Sequence, residues 1–184
     1  MARFSHLVVC ITAVLLISAC GELSEFENQQ VEEALSDSLF TITKTWGVNM
    51  ELMENEQLKL ILKGSYSTTL KNEAVNITKI SGPVYIEIYN DSGEADTFVN
   101  ADSALYQPEA FTFELFGNVT VDAPENKVLR SEYMKWDRFS DKVSTPEFLT
   151  IVTPSDSINA IGFEGDSDLS TYTLREVTGK TIIE

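Results

Sequence analysis

Histidine and cysteine, which supply the general bases and thiol nucleophiles of many enzymes, occur only in the first twenty residues of this chain. Its one histidine is His6, and its two cysteines are Cys10 and Cys20. Ser-His-Asp and Cys-His catalysis need an imidazole, and zinc sites built from His or Cys need an imidazole or a thiolate. The nine glycines are scattered singly, so the sequence has no Gly-rich phosphate loop. These chemistries are therefore excluded from the chain after Cys20.

Carboxylates are the remaining acid–base groups, and they cluster in two turn-rich segments. The clusters are Asp91, Glu94 and Asp96, and Glu164, Asp166 and Asp168. Such clusters bind Ca²⁺ or supply the paired acids of a hydrolase. In a chain with 29 acidic and 13 basic residues they are more typical of solvated turns, and neither matches an EF-hand loop. We expect a protein that is not an enzyme and holds neither a cofactor nor a metal.

Cys20 ends a segment that has the features of an export signal. Arg3 supplies a positive charge, and the twelve residues from Leu7 to Ser18 carry none. A helix of that length rises about 18 Å, which is too short to cross a bilayer comfortably. Ile17-Ser-Ala-Cys20 resembles the lipobox of bacterial lipoproteins, which implies cleavage before Cys20 and lipidation of its thiol. The alternatives are an ordinary signal peptide with an incidental cysteine, and a retained membrane-spanning anchor.

This interpretation divides the chain into a signal peptide at residues 1–19, an acylated tether at residues 20–38 and one domain at residues 39–184. Cys10 leaves with the signal and Cys20 carries the lipid, so the domain has no disulfide and depends on its core. The net charge is −16, and loss of Arg3 makes it −17. Nucleic acids and anionic head groups are bound by basic patches, so neither is an expected partner. Membrane attachment is expected through Cys20.

The chain changes character near Leu39, where alternating β-branched and aromatic residues begin. Clear period-2 runs are Val84–Tyr89, Phe111–Leu115 and Val119–Asp122. Turn signals separate such runs and no helical pattern intervenes, so neighbouring strands pair antiparallel. The pattern predicts an all-β domain: a sandwich, a jelly roll or an open curled sheet, with a bulge or bend at Gly117.

Every second residue of a strand faces the same side, so the apolar members of these runs share one face. They either fill a closed core or line an open groove, and the period alone fits both. The candidate lining residues are Val84, Ile86, Ile88, Phe111, Phe113, Leu115, Val119 and Val121.

The stretch from Ile80 to Gly179 resembles the LptC family of lipopolysaccharide-transport jelly rolls. Gly117-Asn-Val119 followed by Val121 is similar to the family's Gly-Asn-Val strand. The segment Leu129–Asp137 is similar to its Leu-x-Thr-x-x-Leu-x-Trp/Tyr-Asp pattern, with Ser131 for Thr and Met134 for Leu. Further similarities are Ala101–Tyr106, Ser144-Thr145 with Leu149 and Ile151, and Ile161-Gly162-Phe163 with Asp166, Asp168 and Leu169, where Phe163 and Gly165 depart from the usual glycine spacing.

The resemblance implies a curled antiparallel β jelly roll with an apolar groove open along one side. It implies that the candidate lining residues hold the acyl chains of lipopolysaccharide. The protein would take this lipid from an inner-membrane ABC transporter, on the side of residues 39–45, and pass it to a periplasmic LptA-like protein at residues 172–183. Its place would be the periplasmic face of the bacterial inner membrane. One departure is that many family members keep an N-terminal transmembrane helix, whereas this chain has Cys20 in a lipobox-like segment.

Two other classes of function fit the same residues. A non-catalytic periplasmic or surface binding or adhesion module would show an exposed aromatic row over a closed core. A carboxylate-dependent hydrolase would show two facing acids in a cleft, one of them with a raised pKa.

Overall fold

The computed structural model describes residues 40–181, which form a single antiparallel sheet. The predicted signal peptide, the tether and Cys20 lie outside the described residues. The strands are β1 (Thr41–Glu54), β2 (Gln57–Lys71), β3 (Asn76–Tyr89), β4 (Ala95–Gln107), β5 (Thr112–Ala123), β6 (Lys127–Asp137), β7 (Lys142–Val152), β8 (Asp156–Asp166), β9 (Tyr172–Leu174) and β10 (Thr178–Thr181). A 3₁₀ turn, Pro124–Asn126, links β5 to β6.

Strand order in the sheet follows the sequence from β1 to β8, and each strand is hydrogen-bonded to the one before it. β10 pairs with the first part of β8, and the short β9 pairs with its last part. Within residues 40–181, β1 pairs only with β2, so the sheet stays open at both edges. The predicted all-β, curled, antiparallel jelly-roll-like fold is confirmed. Short turns explain the sequential order, because antiparallel neighbours need no crossover.

The sheet bends across its middle, along a row that crosses β2 to β8. Register shifts by one residue in every pairing along this row. For example, Asn100 to Ser103 in β4 lies opposite Thr120 to Phe116 in β5, three steps against four. β3, β5 and β7 each carry such an extra residue relative to both neighbours, which is the arrangement of a β-bulge. We call this row the bend.

Strands β2 to β8 are each folded at the bend, so the two halves of the sheet cover one another. Apolar residues on the inner face of both halves form one cluster, in which Leu60, Ile86 and Phe113 are all 0% exposed. A flat sheet would leave this face in contact with solvent and could not bury these residues so completely. The sheet therefore supplies both layers of its own core.

Gly117 lies on the bend in β5, with φ +74°, and Asn118 beside it has φ +48°. The side-chain amide of Asn118 donates to Asp102 of β4 at 2.8 Å. A Cβ added to Gly117 would come within 3.0 Å of the Asp102 Cβ. The bend predicted at Gly117 is confirmed, and glycine is required there by both the positive φ and the close approach.

We expect Gly117→Ala to lower the free energy of unfolding by about 2–4 kcal/mol, because the added Cβ is forced into the left-handed region and against Asp102. Urea unfolding followed by circular dichroism measures the loss. The matched control is Gly93→Ala, since Gly93 has φ +80° and its added Cβ meets nothing within 4 Å. The control should lose only about 1–2 kcal/mol. Equal losses in the two variants would show that contact with Asp102 does not constrain the bend.

Candidate functional site

The inner face of the folded sheet is the candidate site, and it contains most of the side chains predicted to line a groove. Six of the predicted residues are 0–3% exposed, and Ile88 is partly buried against the same cluster. The six are Val84, Ile86, Phe113, Leu115, Val119 and Val121. β3 and β5 bring them together because alternate residues of each strand point inward. Contact of these side chains with a lipid stays a prediction.

Phe111 does not share this face, and its predicted place beside Phe113 requires correction. It lies in the turn before β5, has φ +53° and is 49% exposed. The left-handed backbone breaks the alternation at this point, so Thr112 rather than Phe111 is buried next to Phe113. The period-2 run therefore begins after Phe111.

The sequence-based set missed much of the inner face, because it drew only on the second half of β3 and on β5. The structure adds Leu60 and Leu62 of β2, Ile80 of β3, Val99 of β4, Leu129 and Met134 of β6, Leu149 and Ile151 of β7, and Phe163 of β8. Alternation in the Leu58–Leu62 run could have indicated the β2 residues. In β6 the inward positions change from odd to even at the bend, which hides the period.

Three aromatic rings form a wall on one half of the inner face. The rings of Tyr106 and Phe113 are stacked with centroids 4.4 Å apart, and Trp136 stacks on the other side of Phe113 at 5.8 Å. The Trp136 indole N–H donates to Asp141 at 3.2 Å, which fixes the ring at the margin of the core. Stacked rings at such distances pack favourably beyond their buried area.

The turns of the sheet form two rims, which face each other because each strand is folded. The first rim consists of the turns at residues 55–56, 90–94, 124–126 and 153–155, and the second of those at residues 72–75, 108–111, 138–141 and 167–171. A cavity of about 360 Å³ lies between them. Its floor contains the inward side chains Ile88, Thr97 and Trp136. Its walls are polar and are contributed by both rims: Glu54, Lys59, Tyr89, Asn90, Asp91, Asp96, Arg138, Asp141, Ser167 and Asp168.

Leu169 belongs to the second rim, in the turn between β8 and β9, yet it is 0% exposed and part of the core cluster. Its φ is +56°, a region that costs a branched residue about 1–2 kcal/mol. Full burial of a leucine side chain contributes about 1.5–3 kcal/mol, which offsets that cost. Across the rims, the Lys127 ammonium donates to the Leu169 carbonyl at 3.3 Å.

The inner face is filled by its own side chains. Leu62, Ile80, Leu129 and Leu149 are each 0% exposed, and they belong to both halves of the sheet. A guest molecule could reach these side chains only if the two halves separate or if it enters from an edge. The arrangement is a closed core that is bounded by rims and open edges.

The acidic clusters lie in two turns and the strand ends beside them, where lysines neutralise part of their charge. A hydrogen bond from Lys59 to Asp91, 2.8 Å long, lowers the pKa of that carboxyl group, and one from Lys142 lowers the pKa of Asp166. On the outer face a hydrogen bond from Lys63 lowers the pKa of Glu87. General-acid catalysis by a carboxyl group would need a shift in the opposite direction. Within residues 40–181, no group of three or more such side chains is placed to hold a metal ion.

The outer face carries exposed aromatic residues along the bend. Trp46 is 72% exposed, and its ring lies 5.3 Å from that of Tyr66 on the next strand. Further along the same row, Phe116 and Tyr133 have ring centroids 5.4 Å apart, and Phe148 is 58% exposed. The row is interrupted by serines at the positions of β3 and β4 between the two pairs.

We expect Tyr133 to ionise late, because burial and then its hydrogen bond to Glu114 raise its pKa from 10.0 to about 12. Between these two values the unfolded chain releases this proton while the folded chain retains it, so stability is complete below pH 10 and falls toward pH 12. The absorbance difference at 295 nm between wild type and Tyr133→Phe reports the titration. In urea the midpoint should return to near 10. A midpoint near 10 in the folded protein would contradict the assigned environment.

The comparisons with known proteins agree with this architecture. The family model described as "Lipopolysaccharide-assembly, LptC-related" matches residues 7–182, nearly the whole chain. Among curated proteins none matches the chain. Within the described part of the chain, there is no helix long and apolar enough to cross a membrane. The match over both the strands and the segment before them shows that the chain belongs to the LptC-related family of lipopolysaccharide assembly, whose role is lipopolysaccharide transport.

Proposed function

We propose that this protein carries the acyl chains of lipopolysaccharide between the two halves of its folded sheet. The observation that carries the proposal is one continuous apolar inner face, running from β2 to β8, in a sheet that is open at both edges. Exposing a twelve-carbon chain to water costs on the order of 10 kcal/mol, at about 0.8 kcal/mol per CH₂. An apolar face of this extent can supply the cover.

Loading requires the halves to separate, because the inner face is filled when no lipid is present. Separation about the bend exchanges contacts between side chains for contacts between side chains and acyl chains, so the apolar area exposed to water changes little. The rims contribute the polar part of the path. Lys59 and Arg138 face the cavity between the rims, where they can meet the phosphate groups of a lipid head.

The two open edges supply the proposed route in and out. β1 and β10 each have one side without a strand partner in the described residues. Such an edge pairs readily with a strand of another protein, which would continue the inner face across the joint. We assign β1 to the inner-membrane ABC transporter and the β9–β10 edge to a periplasmic LptA-like protein.

The proposed place of action is the periplasmic face of the inner membrane, with Cys20 as the lipid anchor. The observation behind it is the uncharged run from Leu7 to Ser18 that ends at Ser-Ala-Cys20. The chain's net charge of −16 offers little attraction to anionic head groups, so a covalent lipid would be the means of attachment.

A second candidate function is a non-catalytic binding or adhesion module. The filled core and the exposed Trp46–Tyr66 pair on the outer face favour it. In that case the ligand, for example a sugar, would stack on the outer row and leave the inner face untouched. The two candidates therefore differ in which face meets the ligand.

A photoreactive benzoylphenylalanine in place of Ile88 should crosslink to lipopolysaccharide in cells. Ile88 is inward-facing and borders the cavity between the rims, so the label fits with little disturbance. The matched control is Tyr85, three residues earlier and on the outer face, where its ring stacks on that of Phe98. We expect roughly tenfold more adduct from the inner position, since alternate positions of a strand face opposite sides. Adducts from an outer label at Trp46, with none from Ile88, would instead support the adhesion module.

Substituting Cys20→Ser should release the protein from membranes into the soluble periplasmic fraction, because the thiol is the acceptor of the lipid. Fractionation with immunoblotting measures the release, and mass spectrometry of the wild type should find a diacylglyceryl-modified Cys20 at the new N-terminus. Cys10→Ser is the control and should leave the distribution unchanged. A wild-type protein whose Cys20 carries no lipid would refute the lipid anchor.

A further inference from the structure

A fully buried leucine distinguishes the turn between β8 and β9 from the other turns of the two rims. Most rim side chains are polar and face solvent or the cavity, whereas Leu169 points inward and is fully buried. Its neighbours Ser167 and Asp168 line the cavity together with Ile88 and Thr97, which approach from the other half of the sheet. The turn therefore reaches across the opening of the fold.

Short hydrogen bonds hold this turn as a unit. The Leu169 N–H donates to the Asp166 carbonyl at 3.1 Å, and the Asp166 N–H donates to the Thr171 carbonyl at 3.0 Å. The Ser170 N–H donates to the Asp168 carboxylate at 2.8 Å. These bonds lie within the turn, so they can loosen without unpairing the strands on either side.

One hydrogen bond joins this unit to the first rim. The Lys127 ammonium donates to the Leu169 carbonyl and also pairs with Glu125 at 3.0 Å. Lys127 begins β6, directly after the 3₁₀ turn of the first rim. Glu125 is 76% exposed, so water reaches this ion pair and can replace the Leu169 carbonyl as an acceptor for the ammonium. The contact holds the turn in place without locking it.

The left-handed φ of Leu169 closes a turn of the same kind as that at residues 108–111, where Phe111 has φ +53° and its N–H donates to the Pro108 carbonyl. Phe111 is 49% exposed, so this backbone conformation occurs with the side chain in solvent as well as with the side chain buried. Burial of Leu169 is therefore not what sets its backbone conformation, and the side chain can leave the core without adding strain to the turn.

We propose that Leu169 is a displaceable plug, which occupies the rim end of the interior in the empty protein and gives way to an acyl chain. This inference rests on the proposed function and adds a device that regulates lipid entry. The turn at residues 167–171 opens when lipid enters and closes when it leaves. Lys127 is the positioning residue that returns the turn to the first rim. The plug keeps the apolar face dry between transfers.

Stopped-flow entry of a pyrene-labelled long-chain fatty acid into the purified protein tests the plug. Leu169→Gly removes the side chain and tolerates the positive φ, so probe entry should be about tenfold faster than in wild type. Phe111→Gly is the matched control, since Phe111 has φ +53° in the turn at residues 108–111 of the same rim but is 49% exposed. The control removes an apolar side chain from the rim outside the inner face and should leave the entry rate near that of wild type.

Hydrogen exchange on the unmodified protein gives a second measurement that does not depend on how a variant folds. Adding the probe should increase exchange at the amides of Asp166 and Leu169, while amides in the middle of β5 stay protected. Probe uptake by the wild type, with unchanged exchange in the turn and an unchanged rate in Leu169→Gly, would overturn the plug alone. Absence of uptake by the wild type and by Leu169→Gly would overturn the proposed function and the plug with it.

Discussion

Self-burial of one sheet's apolar face is the interaction on which the rest of this structure depends. β2 to β8 all bend along one row, so the inner residues of each half are covered by those of the other. No helix or second sheet shares this task among residues 40–181. The contacts that stabilise the fold therefore occupy the surface proposed for lipid. The same side chains determine the stability of the protein and its capacity to bind acyl chains.

The charged groups that form ion pairs lie away from the apolar inner face. Pairs such as Lys63–Glu87 and Lys142–Asp166 lie on the outer face or at the rims. Exposed pairs of this kind are screened by water and contribute little to stability, so they adjust the surface and do not determine the fold. The excess of acidic residues keeps the outer face strongly hydrated. Each half of the sheet is a single layer, so its two faces separate a hydrated exterior from an apolar interior.

The sequence was sufficient for the fold class and for part of the inner face. Regular alternation in β3 and β5 placed residues such as Ile86 and Phe113 correctly, because those strands keep the same inward parity on both sides of the bend. In β4 and β6 the inward-facing positions change from odd to even residue numbers at the bend. A single period-2 pattern therefore fails across the whole strand, although each half alternates well. The prediction for Phe111 was wrong because its own left-handed backbone breaks the alternation before β5 begins. Leu169 could not be foreseen as buried, because a turn residue's environment is set by the opposite rim, which is distant in sequence.

The alternating bulges also determine how the chain can tolerate changes in length. Since β3, β5 and β7 each carry one more residue across the bend than their neighbours, deletion of a single bend residue, such as Asn118, would remove the bulge and give β5 the same number of residues there as β4 and β6. Phe113 and Leu115 would then keep their partners Tyr106 and Ala104 and would still point inward, as the inner residues of β4 and β6 do in both halves. A one-residue deletion at the bend would thus be absorbed there, whereas the same deletion in the middle of either half would turn every residue between it and the nearest turn to the other face.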